Sequence, residues 1–320
     1  MRILVTGSHG FAGTHLRALL RARGDAIVGM DRLDAPAGTP GPHERYVRGD
    51  LLQPADLRAA VEEADPDLVF HLAALPGRGD EAEARRTLAV NVQGTANLLA
   101  ALLDRGRPAR VLHVASSAMY GAVPPEDDPV TETAPLRPLG VYGWSKVASE
   151  AVALAHNGRA GLEVVGARPF NHTGPGEPEH LATSTFAKQV AAIEAGAEPV
   201  IRVGWLDAVR DLADVRDIVR GYVALGDRGK PGAVYNLCSG RGTRIGDVLR
   251  MLLDKSAVEI EVRADSSARA GDLARQVGSF ERARADVGWT PAIPLSESLD
   301  ALLAEWRARY AARSLEGKRS

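Results

Sequence analysis

Tyr142 and Lys146 lie four residues apart in Val141-Tyr142-Gly143-Trp144-Ser145-Lys146, downstream of a serine pair in Val114-Ala115-Ser116-Ser117-Ala118-Met119-Tyr120-Gly121. On a helix, positions i and i+4 share a face, so the ammonium of Lys146 is expected beside the phenol of Tyr142, favouring its anion. A free phenol titrates near pH ~10 and a free ammonium near ~10.4, so a neighbouring cation would make the phenol a useful proton carrier around neutrality. Tyr142 is then the expected acid or base, Lys146 its electrostatic partner, and Ser116 the hydroxyl that binds the same reacting oxygen. Ser117 is the alternative, because one residue of strand twist decides which serine faces a cleft. In isolation a Tyr and a Lys at this spacing are commonly surface residues. The segments upstream give the pair its meaning.

Ile3-Leu4-Val5-Thr6 has the pattern of a buried strand, followed by Gly7-Ser8-His9-Gly10-Phe11-Ala12-Gly13 and an apolar-periodic run from Thr14 to Arg23. This reads as strand, glycine turn, helix. Glycines three apart remove Cβ atoms where a diphosphate must approach backbone amides at a helix N-terminus. The spacing differs from G-x-G-x-x-G, but the placement is that of a dinucleotide turn, with Gly7, Gly10, Phe11 and Gly13 as cofactor-binding positions. The next apolar run, Ala26-Ile27-Val28-Gly29-Met30, ends at Asp31, where a carboxylate could meet the adenosine ribose hydroxyls. That favours NAD(H). Arg32 follows directly and keeps NADP(H) open, since a guanidinium could offset a ribose phosphate.

Further strand patterns at Leu68 to Leu72, Val111 to Ala115 and Glu163 to Ala167 alternate with amphipathic segments. Such alternation predicts an α/β fold, a doubly wound parallel sheet with ligands at the carboxyl ends of its strands. Gly7, Asp31, Ala73, Ser116 and Pro169 to Asn171 all fall at those ends. The expected organisation is a dinucleotide-binding domain over 1–170 with a return near 208–240. A smaller, partly discontinuous substrate-binding lobe is expected over 171–207 and 241–312, then a tail over 313–320. Residues 35–42, rich in Pro and Gly, are expected to form a surface loop.

A chain of 320 residues can bury a substantial core. Its 39 basic and 41 acidic residues give a net charge of −2, which offers no broad attraction for nucleic acid. Cys238 is the single cysteine, so no internal disulfide forms and a cysteine-based metal site is not expected. The first twenty residues read as strand and glycine turn, without the pattern of a leader or membrane span, and a cytoplasmic enzyme is expected.

The glycine turn, Asp50-Leu51, His71-Leu72-Ala73-Ala74, Asn91, Ser116, Tyr142 and Lys146 together resemble the extended short-chain dehydrogenase/reductase family over nearly the whole chain. The resemblance implies that Asp50 and Leu51 border the adenine, that Ala73 and Pro169 line the cofactor cleft, and that Asn91 supports the active-site helix. It also implies a homodimer joined through the helices carrying Asn91 and Tyr142. His71 is read as a buried strand residue without chemistry.

The second half, with Ala167-Arg168-Pro169-Phe170-Asn171-His172-Thr173-Gly174-Pro175-Gly176, is similar to nucleotide-sugar members, closest to GDP-4-dehydro-6-deoxy-D-mannose reductases. This implies a nucleotide-sugar substrate, a diphosphate held by Arg210 and Arg269, and contacts from Asn171 and Lys188. Guanidinium groups suit bidentate phosphate recognition. Two departures matter. Dehydratase relatives carry Glu where this chain has Ala118, and elimination of water needs an ionisable group that alanine cannot supply. Trp205 stands where relatives usually show Asn. The expected activity is NAD(P)H-dependent reduction of a C4 keto group, against a 4-epimerase that recycles its NAD. A non-catalytic dinucleotide sensor is the reading from another class.

Overall fold

The computed structural model describes residues 1–34, 41, 43–77, 80–264 and 273–316. Among the described residues the strands are β1 (Arg2–Thr6), β2 (Ala26–Asp31), β3 (Glu44–Arg48), β4 (Leu68–His71), β5 (Ala109–Val114), β6 (Leu162–Pro169), β7 (Asn171–Thr173), β8 (Val200–Val203), β9 (Val209–Asp214), β10 (Val234–Leu237), β11 (Gly242–Arg244), β12 (Glu261–Ala264) and β13 (Arg275–Gln276). The α-helices are α1 (Phe11–Ala22), α2 (Pro54–Ala64), α3 (Glu81–Leu88), α4 (Gly94–Asp104), α5 (Val141–Leu154), α6 (Ala182–Glu194), α7 (Val215–Arg228), α8 (Ile245–Leu253), α9 (Glu281–Val287) and α10 (Leu295–Glu316).

Seven parallel strands form the main sheet in the order β10-β6-β5-β4-β1-β2-β3. The order reverses between β1 and β4, which opens a crevice at the carboxyl edge where the glycine turn lies. Alternate side chains of β1 feed two separate cores. Ile3 and Val5 pack with Leu16 and Leu20 of α1 and Tyr222 and Leu225 of α7, whereas Leu4 packs with Leu57 and Val61 of α2 and Leu98 and Leu102 of α4. Strands covered on both faces are necessarily apolar throughout, which is why these runs were legible as strands.

β3 was not expected. Its sequence, ERYVR, is charged because it is the edge strand, where exposed charge discourages further pairing. Its one buried acid, Glu44, is held by Arg17 (2.5 Å) and Arg21 (3.2 Å) of α1.

A third core joins α6, α8, α10 and β8 around Phe186, Val190, Leu249, Leu302 and Trp306. This is the lobe. β9 pairs with β7, β11 and β13 in a small sheet, while α7 and β10 return to the main one. Residues 281–289, placed by sequence in the lobe, pack Ala283, Val287 and Trp289 into the main core instead. α10 runs to Glu316, so 313–316 of the expected tail are helical. Of the expected 35–42 loop, only Gly41 is among the described residues. No described helix is long and apolar enough to cross a membrane.

Candidate active site

A cleft of about 1030 Å³ opens at the carboxyl edge of the main sheet, bounded by the glycine turn, the ends of β5 and β6, α5 and the lobe. Gly7, Gly10, Phe11, Gly13, Ser116, Ser117, Tyr142, Lys146, Pro169, Asn171 and Arg210 all line it.

Tyr142 and Lys146 share a face of α5, but their mutual arrangement differs from the expected one. The Lys146 ammonium is buried and donates to the Val114 carbonyl at the end of β5, 2.7 Å away. Burial pushes its pKa down to about 8, against the raising effect of Glu150 one turn further along α5. Removal from water raises the Tyr142 phenol above its ordinary pKa, and the nearby Ser116 hydroxyl opposes this. The expected depression of the phenol is therefore absent. Helical spacing puts two side chains on one face, yet the long lysine stem finds its partner on the neighbouring strand.

Ser116 sits in extended backbone just past β5, ahead of the short turn Ser117–Met119, and its Oγ also accepts from the Ala118 amide (3.2 Å). Of the serine pair, Ser116 is the one whose hydroxyl acts on the phenol's proton affinity. Ser117 is buried, and its carbonyl accepts from Gln276 Nε2 (3.1 Å).

Asn91 holds this arrangement in register. It lies in a π-helical turn, Ala89–Gln93, that directs its amide into the protein. Its Nδ2 donates to Ser145 Oγ (2.8 Å) and the Leu75 carbonyl (3.0 Å), and its Oδ1 accepts from the Leu75 amide (2.7 Å). Ser145 Oγ in turn donates to the Tyr142 carbonyl (2.7 Å). The loop after β4 and the first turn of α5 are thus tied through one side chain. His71 is satisfied by Thr6 (2.7 Å) and Thr95 (2.9 Å), and burial drives its pKa to about 3, so it stays neutral.

Gly7 has φ +70°, and a Cβ there would stand 2.7 Å from the Ala73 amide nitrogen. A Cβ on Gly13 would overlap the Gly7 carbonyl. Only glycine lets this turn close against α1, whose first turn carries no acidic residue, leaving its amides and positive dipole end for an anion. A side pocket of about 250 Å³ continues from the turn, lined by Asp31, Arg32, Asp50, Leu51 and Ala73. The Asp31 carboxylate accepts from the amides of His9 (3.1 Å) and Arg32 (2.8 Å), which fixes it at the end of β2. Asp50 Oδ1 accepts from the Leu52 amide (2.9 Å), so it also closes its own turn. The residues present fit a dinucleotide, whose diphosphate the glycine turn would hold and whose adenosine the side pocket would accept.

The substrate half is less as the sequence suggested. Asn171 opens β7 at the cleft, and Arg210 of β9 lines its wall. Lys188 does not join them: it pairs with Glu179 (2.7 Å) outside the cleft, with its ammonium 5.6 Å from the Trp306 ring. Arg269 lies outside the described residues. Among the described residues there is no cluster of His, Cys, Asp or Glu able to hold a metal.

Sequence reading missed Glu177, a cleft residue whose buried carboxylate accepts from Thr173 (2.8 Å) and Thr183 (2.6 Å) and has no cation among these partners. Its only signal was an acid directly after Gly174-Pro175-Gly176. Burial raises its pKa to about 7, with the two hydroxyls opposing. A carboxyl whose folded pKa lies above its unfolded value contributes stability at low pH that is lost as pH rises through the folded value. Glu177→Gln is therefore expected to leave stability unchanged near pH 4.5 and to increase it above pH 7, by roughly 3 kcal/mol at most. Urea unfolding at both pH values checks this; equal effects at the two would refute it.

A family model described as the NAD dependent epimerase/dehydratase family matches residues 3–238. The chain is 37% identical to a GDP-6-deoxy-D-mannose reductase of Pseudomonas aeruginosa, covering 96% of this chain and 98% of the relative. It is 32% identical to a dTDP-glucose 4,6-dehydratase of Streptomyces griseus, covering 94% and 93%. Among solved structures, RMD from Pseudomonas aeruginosa complexed with NADPH superposes with a TM-score of 0.85 at 35% identity, covering 97% of this chain and all of that one.

Proposed function

The chain belongs to the NAD dependent epimerase/dehydratase family, and on that premise we propose that it is a reductase of nucleotide-activated 4-keto-6-deoxy sugars, of the GDP-4-dehydro-6-deoxy-D-mannose type. The observation that carries this reading is the Ser116–Tyr142 hydroxyl pair facing the cleft, with Ala118 in place of any ionisable group beside it. Such a pair can bind and protonate one oxygen but cannot eliminate water across a carbon–carbon bond.

A reduced nicotinamide held beside Tyr142 would supply hydride to the carbonyl carbon. Ser116 would donate a hydrogen bond to the carbonyl oxygen, and Tyr142 would give that oxygen its proton as negative charge develops. A phenol whose pKa is raised keeps its proton through neutrality, which suits donation. Lys146 anchors the catalytic face of α5 to β5 and keeps a positive charge beneath it below pH about 8. Asp31 supports NAD(H) as the preferred cofactor, with Arg32 beside it admitting NADP(H). Asn171 and Arg210 are the proposed substrate contacts, Arg210 on the diphosphate.

The test is stoichiometric. Presented with a panel of nucleotide 4-keto sugars, a reductase consumes one reduced nicotinamide per product. Product formed with no net change in reduced nicotinamide would sink this reading in favour of a 4-epimerase.

The proposed assembly is a homodimer through α5 and the π-helical turn that carries Asn91, which pack together beside α3; Leu88 and Trp144 are exposed here, with Leu139 exposed just ahead of α5. A monomer mass in sedimentation equilibrium would exclude it.

A further inference from the structure

The lobe wall of the cleft carries an aromatic plate. Trp205 lies half-buried on the loop between β8 and β9 and lines the cleft, with Arg202 and Arg210 on the strands to either side. This loop is held rigidly. Ala208 accepts from the Ile245 amide and Leu206 from the Gly246 amide, each at 2.9 Å, and Asp207 pairs with Arg244. Leu206 is packed against the lobe core. An indole on a fixed loop loses little freedom when a flat ring settles on it, and a guanidinium within the same wall suits the phosphates that follow such a ring.

We propose that Trp205 is a specificity-determining residue: the nucleobase of the substrate stacks on its indole, and the plate selects a purine nucleoside diphosphate over a pyrimidine one. The proposal rests on the reductase reading above, whose substrate carries guanine, and assigns the residue that would recognise that base. A bicyclic purine covers more of an indole than a pyrimidine does, so dispersion and stacking both favour it. The other tryptophans cannot serve: Trp289 is buried in a core of the main sheet, Trp306 in the core of the lobe, and Trp144 is exposed on α5 away from the cleft lining.

Tryptophan fluorescence of the full chain, titrated with GDP and with UDP, tests this. GDP is expected to bind more tightly than UDP and to quench the emission. In Trp205→Leu the quench should vanish and GDP affinity fall about tenfold or more, with a smaller loss for UDP. Trp205→Phe should recover most of the GDP affinity, and NADH binding by each variant reports an intact fold. Equal wild-type affinity for GDP and UDP, no quench on GDP binding, or unchanged GDP affinity in Trp205→Leu would each overturn the proposal. The wild-type arm stands even if a variant does not fold. A chain that binds GDP with the quench yet reduces no keto sugar would remove the reductase reading and leave stacking intact. Turnover of a GDP-linked sugar without a quench would remove stacking alone.

Discussion

Tyr142→Phe is expected to lower the turnover of a 4-keto sugar nucleotide about 10³-fold while leaving nucleotide binding close to wild type. The substitution removes one oxygen. The ring remains on α5, and the ties from Asn91 through Ser145 to the Tyr142 backbone carbonyl are untouched, so the helix keeps its place. What disappears is the proton that must reach the substrate oxygen. Because the phenol's pKa is raised, the wild-type rate of reduction should show no loss from tyrosine ionisation anywhere below pH ~9. Steady-state kinetics and calorimetric NADH binding on the same preparation separate the two quantities. A variant within tenfold of wild-type turnover would rule out Tyr142 as the proton donor, and parallel loss of binding would show that the hydroxyl is structural.

The second large effect is on stability. Arg168 of β6 is buried and holds Glu150 of α5 through two bonds, at 2.5 and 2.9 Å, while its third nitrogen donates to Tyr120 (2.9 Å) and the Glu132 carbonyl (3.1 Å). Tyr120 donates onward to Asn236 of β10 (2.7 Å). The guanidinium therefore fastens α5, the sheet and the segment that follows Ser116. Arg168→Met should destabilise the fold by about 3–5 kcal/mol, because it leaves the Glu150 carboxylate buried with only Lys146, a turn away, as counter-charge. Removing both members, Arg168→Met with Glu150→Met, should recover much of that loss, since no charge is then stranded. Urea denaturation of the two variants decides it. A single variant within ~1 kcal/mol of wild type would mean the pair contributes packing only.

Much of this protein was legible before any coordinates. The strand–helix alternation and the glycines at 7, 10 and 13 depend on local periodicity and backbone sterics, and the sequence carries those directly. The serine pair, Tyr142 and Lys146 could be named for the same reason, as could the placement of Asp31 at the end of a strand. β3 escaped because an edge strand has no apolar code.

The tertiary structure alone decided which partners those groups meet. Lys146 spends its reach on a carbonyl of β5, Lys188 turns to a glutamate outside the cleft, Glu177 is buried in the lobe with only hydroxyls, and Ser117 is buried with its carbonyl on Gln276. Charge state follows from desolvation and from neighbours supplied by distant segments. Sequence fixes the identity and spacing of side chains along the backbone, whereas proton affinity is a property of the space into which folding delivers them.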